Sequence, residues 1–233
     1  FEYQSQDAMR GGVLRPDVDE HVLAAEFRLD HRGRLERHGS VAARHERIDR
    51  FFVDTFLDLT AQPPDELILD LDATDDPLHG QQEGRFFHGY YGNYCYLPLY
   101  IFCGEQLLCA RLRTSNQDGA TGTQEELARI VSGLRAAWPQ VQIIVRGDSG
   151  FCREKLLSWC ESEGVDYVVG LAKNSRLKRA IGKKAREAEQ EHQQTHAPAR
   201  RFRAFTYQTR KSWSTSRWVI GKAEHLSGGA NPR

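Results

Sequence analysis

No run of this 233-residue sequence approaches the roughly 18 consecutive apolar residues that a membrane-spanning helix needs, so the chain reads as one with no membrane partner. Charge of one sign is not in excess either. The 32 Lys and Arg balance 32 Asp and Glu, which leaves any nucleic-acid surface to local clustering rather than to an overall field. Phe1-Glu2-Tyr3 offers neither an initiator Met nor a basic-then-apolar leader. This start reads as a soluble, cytoplasmic protein and as a piece of a longer one. The five cysteines include no C-x-x-C pair, and Cys95, Cys103, Cys109 and Cys160 sit in apolar runs. Reduced core thiols therefore fit better than zinc or disulfides.

Residues 1 to about 40 are rich in Arg, Asp and His with scattered Gly, and only Val22 to Phe27 suggests a short helix. From Val41 the pattern sharpens. Ile48, Phe51, Phe52, Thr55, Phe56 and Leu59 recur at helical spacing until Pro63-Pro64 closes the run, predicting an amphipathic helix that feeds a strand.

That strand, Glu66 to Ala73, drives acids into a run that otherwise reads as buried. Leu67, Leu69 and Leu71 alternate on one face, so Ile68, Asp70 and Asp72 share the other, and Pro77 bars further regular extension. Carboxylates brought together at a strand end are costly to desolvate, and a divalent cation with oxygen ligands offsets that cost. A hairpin tip is the other reading, with Asp75, Asp76 and Pro77 as turn formers and Asp70 paired with an Arg.

Residues 79 to 94 are dense in Gly, His and aromatics and read as a turn-rich connection. His79 and His88 suit metal or phosphate but equally a structural role; the tyrosines suit base stacking or plain packing. Strands are expected over Cys95–Cys103 and Gln106–Leu112 as a hairpin. Thr123-Gln124-Glu125-Glu126 has the form of a capping box opening a helix with Leu127, Ile130, Val131, Leu134 and Trp138 on one face. The apolar run Val141–Val145 then delivers Arg146-Gly147-Asp148-Ser149-Gly150, a second acid at a strand end. A helix to Gly164, a strand over Val165–Leu171 and a charged helix from about Lys173 to Gln194 follow. Arg200–Gln208 and Ser216–Lys222 alternate like paired strands.

Three strands with hairpin links, then strand-helix-strand steps requiring parallel neighbours, give an α/β protein: a ribonuclease H-like mixed sheet flanked by helices, with a β-rich insertion near the C-terminus. In that order the first and fourth strands are parallel neighbours, so Asp72 and Asp148 would meet at one sheet edge. The expected organisation is an N-terminal segment (1–60), a catalytic core (61–175) and an incomplete charged helix with insertion (176–233).

The segments 69–80, 86–91, 94–98, 146–151 and 170–174, including Asp72-Ala73-Thr74-Asp75-Asp76-Pro77 and Arg146-Gly147-Asp148-Ser149-Gly150-Phe151, resemble the DDE group 1 transposases of bacterial insertion sequences. The resemblance implies that Asp72 and Asp148 are the first two catalytic, metal-binding acids, that the cofactor is Mg²⁺ or Mn²⁺, and that the activity is DNA cleavage and strand transfer. It implies as partners the terminal repeats and target DNA, with a homodimer in the transposition complex, in the bacterial cytoplasm. The family's third acid, a Glu after the insertion, has no matching signature here, so the chain is expected to be truncated before it and inactive alone. Two alternatives stay open. One is a self-sufficient nuclease using Glu187, Glu189 or Glu191; the other is a non-catalytic DNA-binding remnant. Lys173, Arg176, Lys178, Arg179, Arg210 and Lys211 are the candidate phosphate contacts.

Overall fold

The structure is a computed structural model that describes residues 41–226, with side chains from Arg47 onward. The short helix expected within Val22–Phe27 and the terminal Gly228–Arg233 lie outside the described residues.

Helix α1 (Val41–Leu59) leads into β1 (Glu66–Ala73), where Leu67, Leu69 and Leu71 are buried and the intervening residues are not. The short strands β2 (Asp76–Pro77), β3 (Phe86–His88) and β4 (Asn93–Tyr96) form a separate three-stranded sheet in the order β2-β4-β3. Next come β5 (Leu99–Cys103), β6 (Gln106–Arg111), α2 (Thr123–Ala137), β7 (Gln142–Gly147), a single 3₁₀ turn over Ser149–Phe151, α3 (Glu154–Glu163) and β8 (Asp166–Val169). Helix α4 (Ser175–Thr195) precedes a hairpin of β9 (Ala199–Tyr207) and β10 (Arg217–His225).

The main sheet runs β6-β5-β1-β7-β8. β5 pairs antiparallel with both β1 and β6, while β7 pairs parallel with β1 and β8. This is the ribonuclease H-like arrangement, and the reason is the linkers: β5 and β6 are joined at Gly104-Glu105, a link short enough for a hairpin, whereas α2 and α3 carry the crossovers that parallel neighbours require. Leu69, Ile101, Ile143 and Val145 are buried from the sheet against Leu127, Ile130 and Leu134 of α2. Removing one such side chain, as in Leu69→Ala, costs about 2–5 kcal/mol. No helix among the described residues is long and apolar enough to cross a membrane.

Four local expectations are corrected. The strand expected over Cys95–Cys103 is two strands in two sheets, because Pro98 has no N–H to continue a ladder and Leu97 instead donates to the Arg113 carbonyl (2.8 Å). The turn-rich connection contains β3 and β4, paired Phe87 to Tyr94 and His88 to Asn93. On α1 the buried residues are Asp49, Val53 and Phe56, while Ile48, Phe51 and Leu59 are 52%, 55% and 66% exposed. An ion pair between Asp49 and Arg111 turns the helix this way, with Arg129 donating to the Asp49 carbonyl (3.0 Å). Finally, Thr123 is not the cap of α2. Gly122 (φ 77°) is, and Glu126, which a capping box would send back to the cap, is taken by Arg111 (2.5 Å) and Arg129 (3.2 Å).

Candidate active site

Towards its end, the polar face of β1 carries Asp70 and Asp72, with different surroundings. Asp70 sits across the parallel pair from Arg146, whose Nη2 donates to Oδ2 at 2.7 Å while Nε binds Oδ1. Asp70 is therefore the Arg-paired acid of the hairpin-tip reading. The two partners are 76 positions apart and form the last pair of that ladder; Asp72 and Asp148 follow two residues beyond them, at the same sequence offset.

Asp148 follows directly on β7 and takes an extended conformation (φ −77°, ψ −172°) as cap of the 3₁₀ turn. Its Oδ1 accepts from the Gly150 N–H at 2.7 Å, and Phe151, 2% exposed, anchors the far side of the turn in the core. The peptide is fixed from the neighbouring strand as well: Gly170, just past β8, donates to the Gly147 carbonyl (3.0 Å).

Asp72 is open to solvent on one side, yet the surrounding protein desolvates it enough to raise its pKa above the usual carboxylate range. Repulsion from Asp148 raises it further, and a backbone hydrogen bond at Ala73 opposes both. Two hard oxygen donors that repel each other at a solvent-accessible strand end fit Mg²⁺ or Mn²⁺, which commonly bind through one or two carboxylates plus water and phosphate oxygens. Among the described residues no group of three or more His, Cys, Asp and Glu stands together as a cation cage.

A residue that the sequence reading did not single out borders the pair. Tyr91, between β3 and β4, donates to the Ala73 carbonyl at 3.3 Å. Burial raises its pKa first, followed by the charges of Asp75, Tyr90, Asp72 and Asp148. Asp75 itself accepts from Asn93 Nδ2 (3.0 Å), and the His88 ring lies 4.9 Å from that of Tyr91. The signal was visible only as an aromatic run, which packing explains equally well. His88 is half-buried within β3, and His79 is exposed.

The alternative third acids lie elsewhere. Glu187 pairs with Lys184 and Glu191 with Arg201, both at 2.6 Å, on a helix packed against β9 and β10. Glu187 is about 18 Å along the axis from the first residue of α4 at 1.5 Å per residue.

Of the basic candidates, Arg176 is the one whose contacts reach the hairpin. Asn174 caps α4 by accepting from Arg176 N (3.0 Å) and Leu177 N (3.1 Å), and its Nδ2 donates to Tyr207 Oη (3.1 Å). Arg176 stacks 4.9 Å over the Tyr207 ring and donates to the Gln208 carbonyl (3.1 Å). The first turn of α4 is thereby held beside the β9–β10 turn that carries Arg210 and Lys211. Lys173, Lys178, Arg179, Arg210 and Lys211 are exposed, whereas Arg176 spends part of its guanidinium on the hairpin. The hairpin is also tied to α3, where buried Arg217 binds Glu154 (2.7 Å) and Glu161 (2.6 Å).

A family profile described as "Transposase DDE domain group 1" matches residues 25–233. No curated protein matches the chain. Among solved structures, the catalytic domain of Mos1 mariner transposase is similar at 10% identity, covering 67% of this chain and 74% of that one with a TM-score of 0.34. The piggyBac transposase synaptic complex with hairpin DNA matches at 11% identity, with 77% and 39% covered and a TM-score of 0.36. The HTLV-2 integrase catalytic core domain in complex with magnesium matches at 11% identity, with 59% and 79% covered and a TM-score of 0.25.

Proposed function

The chain belongs to the DDE group 1 transposase family, and from that premise we propose that Asp72 and Asp148 are two of the three acids that hold Mg²⁺ or Mn²⁺ for DNA cleavage and strand transfer at insertion-sequence ends. The observation that supports this most is the parallel pairing of β1 with β7, since Asp72 lies near the end of the first strand and Asp148 directly follows the second. A divalent cation bound there supplies Lewis-acid activation of the scissile phosphodiester and of an attacking water. The protein's part is to hold the two carboxylates aimed. The turn amide of Gly150 orients Asp148 through Oδ1, and Tyr91 steadies the end of β1 through the Ala73 carbonyl.

In this reading residues 61–175 form the catalytic core, and α4 with the β9–β10 hairpin forms the charged and β-rich insertion. DNA follows the basic junction of Lys173, Arg176, Lys178, Arg179, Arg210 and Lys211, making phosphate contacts at terminal repeats and target sites in a bacterial cytoplasm. A homodimer assembles the paired ends. The third acid is supplied from outside the described residues, among which no three His, Cys, Asp or Glu side chains stand together as a metal site. Asp72 and Asp148 alone would leave a second metal ion short of ligands, and residues 1–233 are expected to bind DNA without cutting it.

The experiment is to incubate the purified chain, and a version extended past Arg233, with element-end DNA and Mn²⁺. Salt-sensitive binding by both and cleavage by the extended chain alone is the expected result. Cleavage by the short chain, lost in Glu187→Gln, Glu189→Gln or Glu191→Gln, sinks it in favour of a self-sufficient nuclease. Absence of Mn²⁺-dependent cleavage in both, with binding intact, favours a non-catalytic DNA-binding protein.

A further inference from the structure

Two glycines touch Asp148, and neither needs glycine for its backbone angles, since neither has a positive φ. What they supply is space. A methyl group on Gly170 would stand 2.8 Å from the Ser149 amide nitrogen, 3.1 Å from the Asp148 carbonyl carbon and 3.4 Å from its Cα. Non-bonded carbon atoms pack at about 3.5–4.0 Å, and all three obstacles are backbone, which no rotamer change can move aside. The Asp148 peptide has little room to retreat: Gly170 N–H holds the Gly147 carbonyl (3.0 Å), the Phe151 N–H holds the Asp148 carbonyl (3.2 Å), and the Phe151 ring is locked in the core.

We infer that Gly170 is a positioning residue for Asp148, its bare Cα letting the end of β8 lie against the Asp148–Ser149 peptide and set the carboxylate where a cation shared with Asp72 can bind. Gly150 does the same from the other side. Its N–H grips Oδ1 at 2.7 Å, and a methyl group there would stand 2.9 Å from that oxygen. With Oδ1 gripped, the carboxylate is limited in rotation, and a shift of its backbone passes directly into a shift of the remaining oxygen. The inference rests on the reading of Asp72 and Asp148 as cation ligands.

The test is Mn²⁺ titration of the full chain, by calorimetry or electron paramagnetic resonance, with melting temperatures recorded in parallel. The variants are Gly170→Ala, Gly150→Ala, Asp148→Asn and Gly164→Ala. Gly164 caps α3 at φ 62° with open space around it, so its substitution strains the backbone without touching Asp148. Expected is a loss of Mn²⁺ affinity of about tenfold or more in Gly170→Ala, the range for residues that orient a metal ligand. Gly164→Ala should melt lower yet bind Mn²⁺ as wild type does. Should Gly170→Ala not fold, Gly150→Ala crowds the gripped Oδ1 of Asp148 itself and is expected to lose affinity likewise. Wild-type affinity in the folded glycine variants, with binding lost in Asp148→Asn, overturns the positioning role and leaves the ligand assignment standing. Wild-type affinity in Asp148→Asn overturns both.

Discussion

Asp70 and Arg146 close a bidentate ion pair across the parallel β1–β7 ladder, and that pair fixes which of the two acids on the strand is left for other work. One step further along the same face, Asp72 meets the charge of Asp148. Neutralisation at one position and repulsion at the next, on adjacent strands in one register, is the physical content of the candidate site.

Repulsion between Asp72 and Asp148 has a sign that stability measurements can read. Asp72 has a raised pKa, first from desolvation and then from Asp148, so the metal-free fold loses stability as pH rises from the ordinary carboxylate value of 3.8 through the raised one. Asp148→Asn keeps an acceptor for the Gly150 N–H and removes the charge. We expect it to stabilise the metal-free protein at pH 7 by on the order of 0.5 kcal/mol, small because solvent screens both groups. The gain should vanish near pH 3; thermal melts across that range check it, and a variant that is less stable at pH 7 contradicts the repulsion.

Thr123 separates a capping residue from a buried one. Its side chain is fully buried and its hydroxyl has no hydrogen-bond partner. Thr123→Val should therefore be stabilising by about 1 kcal/mol, the scale of an unsatisfied buried polar group. A cap would instead lose about 1 kcal/mol on the same change, so denaturant melts decide between the two.

Arg217 fastens the β9–β10 hairpin to α3. Hydrogen bonding to Arg217, with help from Ser214, holds Glu154 down at about 2 from its usual 4.5. A depressed carboxylate contributes stability that is full above about 4.5 and is lost as pH falls through about 2. Arg217→Met is expected to cost about 2 kcal/mol at neutral pH, less than the 3–5 typical of a wholly buried pair, because Glu154 and Glu161 can rehydrate. Its stability should also fall less steeply than wild type between pH 4.5 and 2. Parallel acid profiles for the two proteins would count against this network as the fastening.

The strand alternation of Leu67, Leu69 and Leu71 and the change of linker length after β6 were enough to read the main sheet and its parallel β1–β7 pair, because period and connection length are local properties of a sequence. What escaped reading depends on partners far along the chain. Part of the expected α1 stripe, Ile48, Phe51 and Leu59, points outward while Phe56 is buried, because Asp49 finds Arg111, 62 positions away. Thr123 opened a correct helix with the wrong cap because Glu126 was claimed by two arginines. Tyr91 looked like any other aromatic until the β2-β4-β3 sheet folded its hydroxyl onto Ala73.

Counting bound Mn²⁺ in Asp70→Asn, Asp72→Asn and Asp148→Asn tests the central assignment most directly, since a cation shared by two carboxylates needs both and ignores the arginine-paired third. Equilibrium titration should give weaker or absent binding in Asp72→Asn and in Asp148→Asn, and wild-type binding in Asp70→Asn. Binding that survives loss of Asp72 or Asp148, or that disappears with Asp70, would contradict the assignment of the shared site.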